Sequence, residues 1–377
     1  MTIQPNFVGK NIMISAGGTG GHVYPALAVA KRLRELGAKV EWLGTQAGIE
    51  ARLVPEAQIV LHTIFVQGVR GNGIKRVLQA PFVIASAVMQ AKRLIKQIKP
   101  DLFIGFGGFA SGPGALAAKL SAVPVIAHEQ NAAMGLTNRL VSKWATRMLL
   151  AFPIAGHPGT VIGNPVRQAI AAIDLPQQRI RTTEPFRVLV MGGSLGAQAI
   201  NEAVPQALAP LLGRITLTHQ TGKATAAATL EDYRRRGLLE RQDVRVVEYI
   251  DDMPAAYANA DLLIARAGAL TVSEVAAVGL AAIFIPLPQA ADNHQFLNAK
   301  YLANQQAAKI IEQTALTPEH LQKTVTALLD DTMPNSTAPE NAILRQMAEY
   351  GRSLSHADAL DKMIAIIDEV IYANAAR

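Results

Sequence analysis

Ten short apolar runs punctuate the chain in two sets of five, and their spacing leaves few folds open. The first set reads NIMISAGG, KVEWLG, LFIGFGG, PVIAHE and RMLLAF; the second reads FRVLVMGG, ITLTHQTG, VRVVEYI, LLIARAG and AAIFIPLP. Longer stretches of helical spacing separate the runs. Such alternation predicts parallel strands joined by crossover helices, an α/β architecture. Between the sets lies GNPVRQAIAAIDLPQQRIRTTEP, rich in proline and charge and without a strong period, which marks a boundary. The 377 residues also exceed the size at which one core keeps growing. The expectation is therefore two tandem Rossmann-like, doubly wound α/β domains facing a cleft: residues 1–170, a linker over 171–186, then residues 187–350. A helical tail over 351–377 is expected to pack back on the first domain.

Composition narrows the function classes. Half the residues are hydrophobic, yet no window reaches the ~18 unbroken apolar residues of a membrane-spanning helix. The start, MTIQPNFVGKNIMIS, lacks the basic and apolar regions of a secretory leader. The absence of cysteine excludes disulfides and thiolate chemistry, and the scattered histidines form no metal-ligand pattern. Charge is uneven: residues 1–175 hold 18 Lys and Arg against 7 Asp and Glu, and the remainder 18 against 22. A basic first half implies an anionic partner or merely a solvated face. With 5% aromatics and no basic-aromatic interleaving, nucleic acid is not that partner, and an anionic membrane surface suits it better.

The glycine-rich turns carry the chemistry. MISAGGTGGH and VLVMGGSLGAQ repeat one plan: strand, Gly-Gly, small polar residue, glycine, helix. From Gly18 the pattern G-T-G-G-H-V lacks the third glycine of a dinucleotide fingerprint, and the second strand ends EWLGT without an acid for a ribose. What remains is a set of backbone N–H groups at a helix start, suited to phosphate or sugar, with Pro25 read as an early helical residue. GFGGFASGPG supplies another such loop. Several loops at strand ends predict a ligand with more than one phosphate, or two phosphorylated ligands.

ARAGALTVSEVAAVGLAAIFIPLPQAADNHQFLNAKYL, residues 265–302, resembles the donor-nucleotide site of GT-B glycosyltransferases. Together with GGTGGH, GFGGFASGP, HEQNAAMG, GNPVR and GGSLGAQ in this order, it resembles the peptidoglycan transferases that move N-acetylglucosamine (GlcNAc) from UDP-GlcNAc to lipid I, undecaprenyl-pyrophosphoryl-MurNAc-pentapeptide. That resemblance implies an inverting transferase making the β-1,4 linkage of lipid II at the cytoplasmic face of the bacterial cell membrane. It implies no cofactor and no catalytic metal, a part in cell shape and division, and other cell-wall proteins as partners. A UDP-sugar epimerase, or a transferase to a different lipid, is the alternative on the same fold.

The resemblance also implies roles for individual residues. Glu274 would hold the ribose of UDP, although T-x-x-E from Thr271 also reads as a capping box. Ala269, Leu270, Thr271, Val272 and Ser273 would meet the diphosphate at a helix start, with Ser194 adding a hydroxyl. Ile250 would read the uracil edge through its main chain, or is simply a core residue. Arg167 would bind phosphate, or terminate a turn. His294 and Gln295 would hold the sugar hydroxyls, and Thr19, Gly20, Gly21 and Asn131 would complete donor binding. His22 is the candidate base, with Glu129 its rival and helix capping its structural alternative. Gly18, Gly107, Gly108 and Ser111 would cradle the acceptor pyrophosphate. Ile74, Lys75, Arg76, Val77, Leu78 and Phe82, followed by Lys92, Arg93, Lys96 and Lys99, form the expected membrane face; a buried helix with a charged end is its alternative.

Overall fold

In the computed structural model the described residues are 5–66, 73–193, 196–288, 290–332 and 342–375, with the side chains of 73–80, 291, 374 and 375 left aside. The chain forms two compact units, one of Met1–Val166 with Ala357–Arg377 and one of Arg167–His356.

The sheet of the first unit holds β1 (Asn11–Ser15), β2 (Lys39–Gly44), β3 (Val60–Thr63), β4 (Leu102–Gly105), β5 (Val125–Glu129), β6 (Arg147–Leu150) and β7 (Thr160–Val161), in the order β3-β2-β1-β4-β5-β6-β7. All its pairings are parallel. The second unit holds β8 (Phe186–Met191), β9 (Ile215–Gln220), β10 (Val244–Val247), β11 (Leu262–Ala265), β12 (Ala281–Phe284) and β13 (Ala308–Ile310), in the order β10-β9-β8-β11-β12-β13. These pairings are parallel too. Both sheets follow the doubly wound 3-2-1-4-5-6 order, whose direction reverses between β1 and β4 and between β8 and β11. Each unit is thus Rossmann-like, as the resemblance implies.

The strands absent from the ten apolar runs are β3, β7 and β13, and each lies at a sheet edge. A central parallel strand is covered on both faces and must be apolar throughout, whereas an edge strand needs less. Alternation in β1 shows the two faces: Ile12 and Ile14 enter one core with Val23, Leu33 and Trp42, while Met13 enters the other with Leu43, Phe103 and Ala115.

The tail forms the helix Ala359–Ala375, whose Met363, Ile364, Ile367, Val370 and Ile371 fill the first core beside the helix Gly20–Glu35. It belongs to the first unit. The preceding helix, Ile343–Ser353, belongs to the second.

The expected linker is also more structured than its composition implied. It contains the short helix Pro176–Arg179. Arg181 N–H and Arg187 N–H donate to the buried Asp261 carboxylate, and the Arg187 guanidinium grips both its oxygens at 2.6 and 2.9 Å. Arg179, its pKa lowered to about 10 by burial, donates to the carbonyls of Val278, Gly279 and Ala260. Buried carbonyls and one buried aspartate recruit the charges of this segment.

Candidate active site

Parallel pairing of Ser15 with Gly105 brings the loops after β1 and β4 out side by side at the reversal point. The two loops touch. A side chain at Gly108, whose φ is +91°, would place its Cβ 2.5 Å from the Gly17 carbonyl oxygen, so only glycine permits this approach. A Cβ at Gly107 would lie 3.1 Å from the His22 ring. His22 is the third residue of the helix Gly20–Glu35, with Nδ1 3.2 Å from the Thr19 hydroxyl. Thr19 is the N-cap residue, yet its side chain caps no N–H and faces the imidazole instead. Thr19, Gly20, Gly21 and His22 therefore gather at one helix start on the carboxyl edge of the sheet. Pro25 is the sixth helical residue, beyond the unpaired first turn, and so denies the Gly21 carbonyl its usual donor.

Two members of the expected acceptor cradle are already committed. Gly18 N–H donates to Glu50 Oε2 at 3.1 Å, and the buried Ser111 hydroxyl accepts from Gly107 N–H at 3.4 Å. The Gly18 N–H is thus spent on an internal carboxylate, and the Ser111 hydroxyl keeps its own proton to donate. Gly107 and Gly108 remain as the surfaces against which the first loop and His22 rest.

Glu129, the rival base, ends β5 with its carboxylate surrounded by donors. Oε1 accepts from Asn131 N–H at 3.1 Å and Asn131 Nδ2 at 3.3 Å; Oε2 accepts from Gly135 N–H at 3.1 Å and Asn138 Nδ2 at 2.9 Å. Its evident work is to shape the loop carrying Asn131. Next to it, His128 is fully buried and donates from Nε2 to the Gly163 carbonyl at 2.9 Å while Nδ1 faces Gln130 Nε2 at 3.0 Å. Burial above all, opposed by the bond to Gly163 and aided by the nearness of His22, lowers its pKa to about 4. At neutral pH it is an uncharged prop.

In the second unit a cavity of about 670 Å³ opens at the reversal point between β8 and β11. Gly192, Gly196, Arg266, Gly268, Thr271 and Gln295 are among its walls. The helix Ala269–Val278 begins there, with Gly268 as N-cap and no capping side chain. Its first internal bond runs from Val272 N–H to the Gly268 carbonyl at 2.9 Å, so the N–H groups of Ala269, Leu270 and Thr271 precede the hydrogen-bonded ladder. Val272 spends its N–H inside the helix and buries its side chain. Ser273 is half-buried one residue further on.

Because the helix starts at Ala269 rather than at Thr271, Glu274 stands in its second turn and is not a cap. Its buried carboxylate accepts from the Tyr257 hydroxyl at 3.1 Å and from Arg167 Nη2 at 3.2 Å, one bond to each oxygen. Burial raises the Glu274 pKa above 4.5, and Arg167 and Tyr257 pull it back. Burial likewise raises the Tyr257 hydroxyl well above 10, so it remains a donor. Arg167, expected at a phosphate, is thus anchored on the carboxylate, with its side chain 48% exposed.

Gln295 lines the cavity and accepts from Leu287 N–H at 3.0 Å, and His294 begins that helix. Ile250 lies three residues past the end of β10 and lines a separate cavity of about 520 Å³ with Tyr249, Asp251 and Asp252. The geometry does not bring it to the first cavity. Ser194 lies outside the described residues, as do the side chains of Ile74, Lys75, Arg76, Val77 and Leu78. Phe82, in the helix Gly73–Ile98, is 79% exposed.

Glu50, Tyr257 and Arg266 went unnoticed in the sequence. Tyr257 reads as a core aromatic, and Arg266 as a strand-end charge. The Arg266 guanidinium donates to the Ile285 and Pro286 carbonyls and to Gln313 Oε1 at 2.7 Å, which ties two walls of the cavity, Arg266 and Gln313, to the segment after β12. Only spacing in three dimensions reveals these partners.

Residues 12–150 match the glycosyltransferase family 28 N-terminal domain, and residues 187–352 match the family's C-terminal domain. A protein of Aeromonas hydrophila named UDP-N-acetylglucosamine--N-acetylmuramyl-(pentapeptide) pyrophosphoryl-undecaprenol N-acetylglucosamine transferase is 47% identical, over 94% of this chain and 95% of its own. A protein of the same name from Dichelobacter nodosus is 47% identical, over 96% of this chain and 98% of its own. Among solved structures, that of Acinetobacter baumannii MurG superposes with a TM-score of 0.81 at 41% identity, covering 96% of this chain and 99% of the other.

Proposed function

The chain belongs to the family of these N-acetylglucosamine transferases, in glycosyltransferase family 28, and from that premise we propose that it moves GlcNAc from UDP-GlcNAc to lipid I. The carrying observation is the cavity at the β8/β11 reversal, where Gly192, Gly196 and Gly268 meet the start of the helix Ala269–Val278, whose second turn carries the buried Glu274 carboxylate. A nucleoside diphosphate matches that set. Its two phosphates meet the N–H groups of Ala269, Leu270 and Thr271 and the positive end of the helix. Its ribose hydroxyls donate to Glu274, which Tyr257 and Arg167 hold in place. Gln295, with His294, addresses the sugar hydroxyls.

The acceptor reaction belongs to the first unit. The C4 hydroxyl of MurNAc gives its proton to His22 and attacks C1 of GlcNAc from the face opposite UDP; the C1–O bond to UDP breaks and a β-1,4 bond forms. Saturation of Glu129 by four donors favours His22 as the base. Departing UDP carries its negative charge onto the helix start, and the reading requires no metal. Among the described residues no helix is long and apolar enough to cross a membrane. The exposed Phe82, on a helix whose sequence also holds Lys92, Arg93 and Lys96, supports peripheral attachment to an anionic membrane surface, at the cytoplasmic face where UDP-sugars are found.

UDP release measured with and without a lipid I analogue tests the reaction. Release that depends on the acceptor and survives chelator is expected. Conversion of UDP-GlcNAc without a lipid would favour the epimerase alternative and refute the proposal.

A further inference from the structure

Glu50 is fully buried and has no part in the reading above, yet the loops of the first unit are built around it. It opens the helix Glu50–Glu56, just past the carboxyl end of β2. Oε2 accepts from Gly18 N–H at 3.1 Å; Oε1 accepts from Thr45 N–H at 3.1 Å and from the Thr45 hydroxyl at 2.7 Å. Three glycines wrap the side chain. A Cβ at Gly17 would lie 2.5 Å from Oε1, one at Gly44 2.9 Å from Cγ, and one at Gly48 would overlap the carboxylate. The backbone thus closes on this acid with no room for any side chain between.

A glycine loop at a strand end ordinarily turns its N–H groups toward an external anion. Here the anion is internal. We infer that Glu50 is a positioning residue whose carboxylate fixes the first glycine loop and, through that loop's contacts with Gly107 and Gly108, sets the place of His22. The path is short and continuous. Glu50 holds Gly18; Gly17 packs against Gly108; Gly107 faces the His22 ring; and the helix start that carries His22 follows directly from Gly18. A loop ordered by its own carboxylate is formed before any substrate arrives, which preorganises the base.

The inference rests on His22 acting as the base, so its test includes a readout that does not depend on turnover. Glu50→Gln preserves shape but turns one acceptor oxygen into a donor, opposing the N–H or hydroxyl it once accepted. With glycine and histidine labelled selectively, the Gly18 amide proton is expected to move upfield and the His22 imidazole resonances to shift. The expected kinetic result is a kcat lowered tenfold or more, with KM for UDP-GlcNAc within twofold of wild type, since the groups assigned to the nucleotide, Glu274 and the helix start at Ala269, lie in the other unit. Thr45→Val removes a single donor and should shift the same resonances by less; it carries the test if Glu50→Gln does not fold. Unmoved Gly18 and His22 resonances in a folded variant overturn the inference. So does a lowered melting temperature with both kinetic constants retained, or a KM that rises in step with the loss of kcat. Shifted resonances in a chain whose wild type transfers no GlcNAc would uphold the clamp and refute the assigned reaction instead.

Discussion

Replacing Glu274 by glutamine separates the charge of the ribose site from its shape. The amide fits the same volume, and its oxygen still accepts from the Tyr257 hydroxyl, so the 3.1 Å bond survives. Its NH2 group then faces Arg167 Nη2, donor against donor, across what is now a 3.2 Å bond. Two ribose hydroxyls lose an ionised acceptor. Hydrogen bonds to charged groups contribute about 1 kcal/mol more than neutral ones, so about 2 kcal/mol of donor binding should go, roughly a thirtyfold rise in KM. The fold should lose little. Burial holds the Glu274 pKa above 4.5, so from that pH up to the raised value the native state retains a proton that the unfolded chain has released. Wild-type stability from this group therefore falls as pH rises through that window, and the variant should lack the fall. Steady-state KM, calorimetric titration with UDP, and melting at pH 5 and pH 8 read all three effects. A KM within twofold of wild type would refute the placing of the ribose.

Other perturbations address the first unit and the core. His22→Ala should lower kcat by ~10²- to 10⁴-fold, the loss typical of a general base, with UDP affinity kept, while Glu129→Gln should be milder; the reverse ranking in single-turnover kinetics would transfer the role to Glu129. Burial holds His128 at about 4 and His219, in the second unit, at about 3, both below the ordinary 6.5. The unfolded chain then binds protons that the native units refuse, so each unit should lose about 2 kcal/mol between pH 7 and pH 5; flat denaturant midpoints over that range would contradict this. Ile367→Ala, in the tail helix, should destabilise the first unit by about 2–5 kcal/mol and leave the second transition in place, as scanning calorimetry would show; a loss in the second transition alone would be inconsistent with the core it fills.

Central strands were legible because both of their faces are covered, as the run NIMIS shows by sending Ile12 and Met13 into different cores. Edge strands such as Thr160–Val161 carry too little apolar surface to announce themselves. The glycine loops and His22 could be placed from spacing, since strand, glycine and helix follow one another within a few residues, whereas the helix after β11 starts at Ala269, two residues before the capping pattern at Thr271. Glu50 could not, because its partner Gly18 is 32 residues away in the chain. The same limit applies to Glu274, whose bond to Arg167 spans 107 residues and turns an apparent capping box into a buried carboxylate held by an arginine. Ile250, which the resemblance set at the uracil edge with a core residue as the alternative, lines a second cavity of the same unit, a position that spacing alone does not give.

The structure of the product tests the central claim most directly. Wild-type protein incubated with UDP-GlcNAc and a short-chain lipid I analogue should yield a disaccharide lipid, whose new anomeric proton reports the configuration by its coupling constant. The account predicts a β-linkage to C4 of MurNAc, formed in equal amount to the UDP released and unaffected by chelator. An α-linkage, a bond to another hydroxyl, or UDP released without any disaccharide would contradict it.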